Sequence, residues 1–313
     1  MTRLGIVGCG RITERGHIPA ALATPGVSVA ACADPNPERL AGCLELCRQG
    51  GEETKGFASL AAMLVAETID LLVVAAPLEH HLPLAEEAAA AGIRTLVEKP
   101  PVPDLATAQQ LAALDPEPLL AFNRRFLQGP ELRAAVPAAG WLELDLELGF
   151  QRGAWGAHEV RDEALLDAGI HLIDLACHLS DAAPIAVRRA DIAPEQASLE
   201  LELSRGRARI ACATDRRHRE AVSVRDRAGK LVARSAWGGL RTRLGGAIGR
   251  PDPLKLSLQR QLEEAAGVSP LELHHLARAR DGVVAMAVVE AARRSAELDG
   301  AEVTVESLAE LKT

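Results

Sequence analysis

From residue 3 to about residue 122 the chain repeats one theme: a short apolar run, a turn, then an Ala/Leu-rich stretch with helical spacing. The runs Leu4–Val7, Val27–Ala33, Asp70–Ala75, Ile93–Val97 and Pro118–Phe122 have the length of strands. Between them, Ile12–Ala23, Pro37–Arg48, Ser59–Ala66, His80–Ala91 and Ala106–Leu114 read as helices. Strands that alternate with helices pair in parallel through right-handed crossovers, because each helix must pack back onto the sheet that it leaves. Residues 1–122 are therefore expected to form a doubly wound Rossmann domain.

The pattern changes after residue 123. Trp141-Leu-Glu-Leu-Asp-Leu-Glu-Leu148 alternates strictly, which puts Leu142, Leu144, Leu146 and Leu148 on one face and Glu143, Asp145 and Glu147 on the other. A strand of this kind belongs to a sheet covered on one side only, usually antiparallel. Further strands are predicted at Ile185–Ile192, Ala197–Leu203, Ala208–Ala213, Ala221–Val224 and Leu231–Arg234, and helices at Asp162–Leu179, Pro253–Ala266 and Leu271–Glu297. The whole chain reads as α/β: an N-terminal Rossmann domain (1–122) and a C-terminal α/β domain (123–313) with a large, open, mostly antiparallel sheet. The open face suggests a homodimer or homotetramer formed through that sheet.

Composition narrows the function classes. The 313 residues are 48% hydrophobic and 25% charged with a net charge of −8, which argues against sequence-independent binding to nucleic acid or anionic membrane. No apolar run is long enough to span a bilayer. There is no tyrosine, which excludes any mechanism that uses a tyrosine acid or base, including the Tyr-x-x-x-Lys arrangement. The first strand is expected to start at Arg3, and the six cysteines form no C-x-x-C pair, so we expect no secretion signal, reduced thiols and a cytoplasmic protein. Cys43 and Cys47, four apart on a helix, are expected to line its buried face.

Gly8-x-Gly10-x-x-Thr13 follows the first strand directly. Gly8 permits the tight turn, Gly10 lets backbone approach a pyrophosphate, and a helix starting near Arg11 aims its first amides at that charge. Thr13 replaces the third glycine of the dinucleotide fingerprint and is expected to loosen helix–strand packing. Asp34 ends the next strand, where a carboxylate can accept both ribose hydroxyls and repel a 2′-phosphate, which favours NAD. Arg39, one turn into the following helix, keeps NADP open.

Glu98-Lys99-Pro100 delivers a lysine to the carboxyl edge of the sheet, where open α/β folds bind ligands. On the helix after residue 162, Asp167, His171 and Asp174 share a stripe at i, i+4 and i+7, which can present a general acid/base with an orienting carboxylate.

Gly8-Cys9-Gly10-Arg11-Ile12, Pro77-x-x-x-His81, Ala91-Gly92-Ile93, Glu98-Lys99-Pro100, Asn123-Arg124-Arg125-Phe126 and Asp167-x-Gly169-x-His171-x-x-Asp174-Leu175 occur in that order. At this spacing, with Ala279-Arg280-Asp281-Gly282 and the helix after it, the chain resembles the Gfo/Idh/MocA oxidoreductases over nearly its whole length. The resemblance implies hydride transfer between nicotinamide C4 and a secondary alcohol or ketone of a sugar, cyclitol or nucleotide sugar. It implies Lys99 beside the reacting oxygen, His171 as acid/base and Asp167 as its partner or a substrate contact. Gly8, Gly10, Arg11, Ile12, Asp34, Pro77, His81, Glu98 and Lys99 would line the cofactor, with His81 supporting the cofactor-side helix. Lys99, Arg125, Trp155, Asp167 and His171 would meet substrate. Asp162-Glu163-Ala164-Leu165-Leu166 stands where the family often has two or three glycines, a departure in the pocket-shaping stretch. Rival readings are an imine or tetrapyrrole reductase on the same scaffold and a non-catalytic NAD sensor.

The pairs His80-His81 and His274-His275 lack a third ligand at zinc-like spacing, and no metal is expected. Leu240–Arg250, with Arg241, Arg243 and Arg250 among three glycines, reads as an exposed loop or subunit arm. Asp215–Glu220 reads as a hairpin turn of solvated charges.

Overall fold

The computed structural model describes residues 1–127, 129–155, 163–238, 252–269 and 275–305. They fall into two compact units: residues 1–127 with 252–282, and 128–251 with 283–313. The single boundary expected at 122/123 is therefore replaced by an interleaved partition, in which residues 252–282 return to the first unit.

The first unit is built on a seven-stranded sheet. β1 (Thr2–Val7), β2 (Val27–Ala33), β3 (Lys55–Phe57), β4 (Leu71–Val74), β5 (Arg94–Val97) and β6 (Leu119–Leu120) run parallel in the order 3-2-1-4-5-6. A two-residue strand near the end of the chain, which we number β13 (Ala277–Arg278), pairs antiparallel with β6. β1 and β4 are neighbours, so the strand order reverses between them. A doubly wound sheet opens its ligand crevice at that reversal, beyond the carboxyl ends of the strands.

The central strands are buried on both faces, as parallel strands covered by helices must be. Leu71, Leu72, Val73 and Val74 are all at most 2% exposed. Helices begin where the sequence supplies caps. Asn36 Oδ1 accepts from Glu38 N–H and Arg39 N–H to start α2 (Pro37–Gln49), with Pro37 at the first position. Ser59 Oγ caps α3 (Leu60–Ala66) and Asp104 caps α5 (Leu105–Ala112). α4 (His81–Ala90) carries β4 to β5. The helix expected over Ile12–Ala23 is present, with a π-type turn, Thr13–His17, leading directly into α1 (Ile18–Leu22). Cys43 and Cys47 line the buried face of α2, as expected, and join Cys9 and Cys32 in one core cluster. α6 (Arg124–Leu127), which the alternation pattern did not announce, closes the first segment of this unit.

The second unit carries α7 (Gly129–Ala135) and a sheet in the order β12-β11-β7-β10-β9-β8-β14. Its strands are β7 (Leu142–Gln151), β8 (Pro184–Ala193), β9 (Gln196–Leu203), β10 (Gly206–Ala213), β11 (Asp215–Asp226), β12 (Leu231–Gly238) and β14 (Val303–Thr304). All pairings are antiparallel except β7 with β10, which agrees with the expected mostly antiparallel sheet. Leu142, Leu144, Leu146 and Leu148 are buried against α8 (Ile170–Ser180), while Glu143, Asp145 and Glu147 stand on the other face. There they pair with Arg207, Arg209 and Arg219. The expected hairpin turn at Asp215–Glu220 is the first half of β11, with its register shifted between Asp215 and Arg219. That run carries no alternation because both of its faces are charged or exposed until Glu220, which is buried.

α9 (Pro253–Ala265) belongs to the first unit, where Asp252 caps it and Leu258 and Leu262 are buried. α10 (Ala279–Glu297) follows β13; of the helix expected over Leu271–Glu297, residues 271–274 lie outside the described residues and the helical part begins at Ala279. The Leu240–Arg250 segment and His274 lie outside the described residues. No helix among the described residues is long and apolar enough to cross a membrane.

Candidate active site

The registers of the parallel sheet put several of the expected cofactor residues in one row. Val7 pairs with Ala33 and with Val74, and Val74 pairs with Val97. The residues just beyond, Gly8, Asp34, Ala75 and Glu98, therefore share the carboxyl edge. Backbone bonds extend the row past the strands: Gly8 N–H donates to Ala33 O, Ala75 N–H to Val7 O, and Glu98 N–H to Val74 O.

Gly8 sits at the strand-order reversal with φ +94°, and a Cβ there would lie 2.4 Å from the backbone oxygen of Ala75. No side chain fits, so β1 turns tightly against the end of β4. Gly10 differs: a Cβ on it would meet nothing within 4 Å. The protein leaves space at this turn, which is what a phosphate approaching the backbone requires. Arg11 and Ile12 follow as the first residues of the helical turn, and Glu14 N–H closes back on Gly10 O.

Thr13 does not loosen the packing as expected. Its buried hydroxyl donates to Gly8 O at 2.6 Å and ties the helical turn to the glycine turn. Close packing of this helix is instead the task of Gly16, where a Cβ would lie 2.7 Å from Leu258 Cδ1 on α9. Asp34 Oδ2 accepts from Cys9 N–H (2.7 Å) and Asp34 Oδ1 from Asn36 N–H (2.8 Å). The carboxylate thus braces the glycine turn, and each oxygen keeps a further lone pair for a ligand hydroxyl. Arg39 is exposed on α2.

Glu98 is buried and accepts from two sides: His17 Nε2 lies 2.8 Å from Oε1, and Lys99 N–H donates to Oε2 at 3.0 Å. Burial works to raise its pKa, but the hydrogen bond and charge of His17, with the charge and N–H of Lys99, outweigh it, and the carboxyl sits below its ordinary value. Lys99 follows, half-buried, and the Lys99–Pro100 peptide is cis. His81 lies beneath: Nε2 is 2.8 Å from Ala76 O, and Nδ1 is 3.0 Å from Pro100 O and 3.1 Å from Pro101 O. The expected supporting role of His81 thus takes the form of a brace between the turn after β4 and the one after β5. Pro77 is exposed on the first of these turns.

In the second unit the expected acid/base helix opens with a π-type turn, Leu165–Gly169, before α8. It is not a half-solvated stripe. Asp167, His171 and Asp174 are 7%, 4% and 3% exposed, and their apolar neighbours are equally buried. A residue that the sequence reading missed, Arg152, holds Asp167: Nε and Nη2 both donate to Oδ2, at 3.1 and 2.9 Å. Arg152 directly follows β7 and is fixed by its own N–H, which donates to Thr214 O. Trp155 lies on the short turn after it, Arg152–Trp155, where only its backbone is described.

Arg125, expected at substrate, is buried within the first unit. Its guanidinium faces Asp281 Oδ2 at 3.4 Å and His275 O at 3.5 Å. Among the described residues no group of three or more His, Cys, Asp or Glu could hold a metal.

Residues 2–117 match the family model of the GFO_IDH_MocA oxidoreductases, described as an oxidoreductase family with an NAD-binding Rossmann fold. This N-terminal segment is similar to the Gfo/Idh/MocA oxidoreductases. Among the curated relatives is the dTDP-3,4-didehydro-2,6-dideoxy-alpha-D-glucose 3-reductase of Actinomadura kijaniata, 34% identical over 133 residues, 42% of this chain and 39% of that one. The inositol 2-dehydrogenase of Corynebacterium glutamicum strain R is 25% identical over 194 residues, 59% of this chain and 56% of that one. These matches span about half the length of the curated relatives or less. The fold is similar throughout to the crystal structure of a Lactobacillus plantarum myo-inositol 2-dehydrogenase, with a TM-score of 0.75, 16% identity, and coverage of 97% of this chain and 99% of that one.

Proposed function

We propose that this protein is an NAD(P)-dependent dehydrogenase that exchanges hydride with a secondary alcohol or ketone of a sugar, cyclitol or nucleotide sugar. The observation that carries the reading is the row along the carboxyl edge of the parallel sheet. There Gly8, Asp34 and the Glu98–Lys99 pair sit in adjacent register beside the strand-order reversal. The residues fit a dinucleotide: Gly10 leaves open space at the turn, and Asp34 is fixed with lone pairs to offer. The relatives named above support the class of substrate.

A bound nicotinamide supplies or accepts the hydride; the remaining tasks belong to the chain. The turn at Gly8–Ile12 holds a pyrophosphate through backbone N–H groups and the opening of the helical turn. Asp34 accepts from a ribose and disfavours a 2′-phosphate, so NAD is the preferred cofactor. The Lys99 ammonium lowers the free energy of an oxygen that gains negative charge as its proton leaves. His171 takes that proton in oxidation and returns it in reduction, and Asp167, clamped by Arg152, fixes the orientation of the ring. On the second unit, the open sheet face carries acidic and basic rows in apposition, and we assign to it a homo-oligomeric contact.

Lys99→Met tests the reading. Loss of one preorganised cation is expected to lower turnover by about 10²–10³-fold, with NADH affinity by calorimetry nearly unchanged. Equal turnover in the variant would remove Lys99 from the chemistry. A wild-type protein that binds NADH yet turns over no polyol, ketose or nucleotide sugar would favour the sensor reading.

A further inference from the structure

The sequence reading grouped Glu98 with the cofactor residues, and no role had been given to His17. Yet these two form a buried polar pair, with His17 at 3% and Glu98 at 7% exposure. His17 ends the π-type turn Thr13–His17, and that turn is fixed at its other end by the Thr13 hydroxyl on Gly8 O. Its Nε2 reaches Glu98 Oε1 at 2.8 Å across 81 residues of sequence. The other oxygen of the same carboxylate accepts the backbone N–H of Lys99. One continuous path therefore runs from the glycine turn through Thr13, His17 and Glu98 to the lysine backbone. On the far side, His81 braces the carbonyls of Pro100 and Pro101.

We propose that His17 is a positioning residue for Lys99 and acts through the Glu98 carboxylate. The proposal rests on the reading of Lys99 as the group that meets the reacting oxygen. A carboxylate in this layer keeps its charge only while donors compensate for the water it has lost. His17 donates from one side and Lys99 N–H from the other, and these are the two titratable residues whose charges act on Glu98. Without the imidazole, the largest compensation for burial is lost and the Glu98 pKa moves upward. The carboxylate then holds the Lys99 backbone N–H less firmly. The pair thus sets the direction in which the lysine leaves the sheet edge.

The test reads Lys99 directly in the cofactor-free protein. Acetic anhydride labels free amines, and peptide mapping by mass spectrometry gives the rate at Lys99. His17→Ala and Glu98→Gln are each expected to speed labelling by about threefold or more, a change of about 0.7 kcal/mol in the barrier, as the lysine is released from its anchor. His17→Gln, whose amide can donate in place of Nε2, is expected to restore the wild-type rate. The double variant His17→Ala/Glu98→Gln should label no faster than Glu98→Gln alone, since both changes act on one carboxylate. A His17→Ala rate equal to wild type, a His17→Gln rate no nearer to wild type than that of His17→Ala, or additive effects in the double variant would each overturn the proposal. Should His17→Ala not fold, His17→Gln against Glu98→Gln makes the same comparison: a wild-type rate for the first and a raised rate for the second. NADH titration of the same proteins keeps the two readings separate. Absent NADH binding in the wild type counts against the dehydrogenase, whereas the labelling pattern decides the coupling.

Discussion

Gly8 and Gly10 lie two residues apart in one turn, yet alanine at each should fail for different reasons. At Gly8 the backbone has φ +94°, and the new Cβ would lie 2.4 Å from Ala75 O, 2.5 Å from Ala75 C and 2.6 Å from Ala76 N. The left-handed conformation alone costs an L-residue about 1–2 kcal/mol. The clash is with backbone, not with the far end of a flexible side chain, so strand ends must move, at about 1–3 kcal/mol more. Gly8→Ala is therefore expected to destabilise the cofactor-free protein by roughly 2–5 kcal/mol. At Gly10 the Cβ meets no atom within 4 Å and φ is not positive. Gly10→Ala should leave cofactor-free stability unchanged or raise it by about 0.4–1 kcal/mol, through a less disordered unfolded chain. The same methyl group occupies the space assigned to the pyrophosphate, and NADH affinity should fall by about 10–100-fold, or about 1.4–2.7 kcal/mol. Urea unfolding without cofactor and calorimetric NADH titration separate the two quantities. If Gly10→Ala binds NADH as the wild type does, the turn is not the phosphate site. If Gly8→Ala is as stable as the wild type, the strand-end contact that defines the crevice is wrong.

Three further outcomes follow from local structure. Asp104→Ala removes the carboxylate that accepts from Thr107 N–H at the start of α5 and should cost about 1 kcal/mol in urea unfolding, with NADH affinity unchanged. Leu72→Ala, in a strand buried on both faces, should destabilise by about 2–5 kcal/mol, and a smaller loss would mean that the layer around β4 collapses onto the gap. Glu98 is held below its ordinary pKa in the folded protein, so its charge stabilises the fold above the unfolded value near 4.3, and that contribution is lost as pH falls through the folded pKa. Urea midpoints measured from pH 6 downward should therefore decline less steeply in Glu98→Gln than in the wild type; parallel declines would refute this assignment.

The Rossmann strands were legible because each is a short run buried on both faces, and burial of that kind leaves an uninterrupted apolar signature. Val27–Ala33 was placed to the residue. β3 was missed because Lys55-Gly56-Phe57 sits at the sheet edge with two of its three residues exposed. Charge hid the first half of β11 in the same way, since a strand on an open face can be polar throughout. The glycine turn, Asp34 and Glu98-Lys99-Pro100 could be read because local spacing dictates their geometry. Three partners could not be read. Arg152 finds Asp167, and His17 finds Glu98, through tertiary contacts that no local periodicity encodes. Thr13 was misjudged because the fingerprint scores it as a missing glycine, whereas its hydroxyl supplies the packing contact by a hydrogen bond. The return of residues 252–282 to the first unit had no local sign either, since α9 looks the same whichever core it covers.

That return sets an order of events in synthesis. β6 closes the first sheet only when Ala277 and Arg278 pair with Leu120 and Leu119. The core near α1 is completed only when Leu258 and Leu262 arrive on α9. At about 5–20 residues per second, the ribosome needs roughly 10–30 s to travel from the first of these partners to the second. Throughout that interval a strand edge and an apolar helix-binding surface stand uncovered on the nascent chain. The nucleotide-binding half is thus among the first parts to be made and among the last to be finished, which makes chaperone demand during translation a property of its topology.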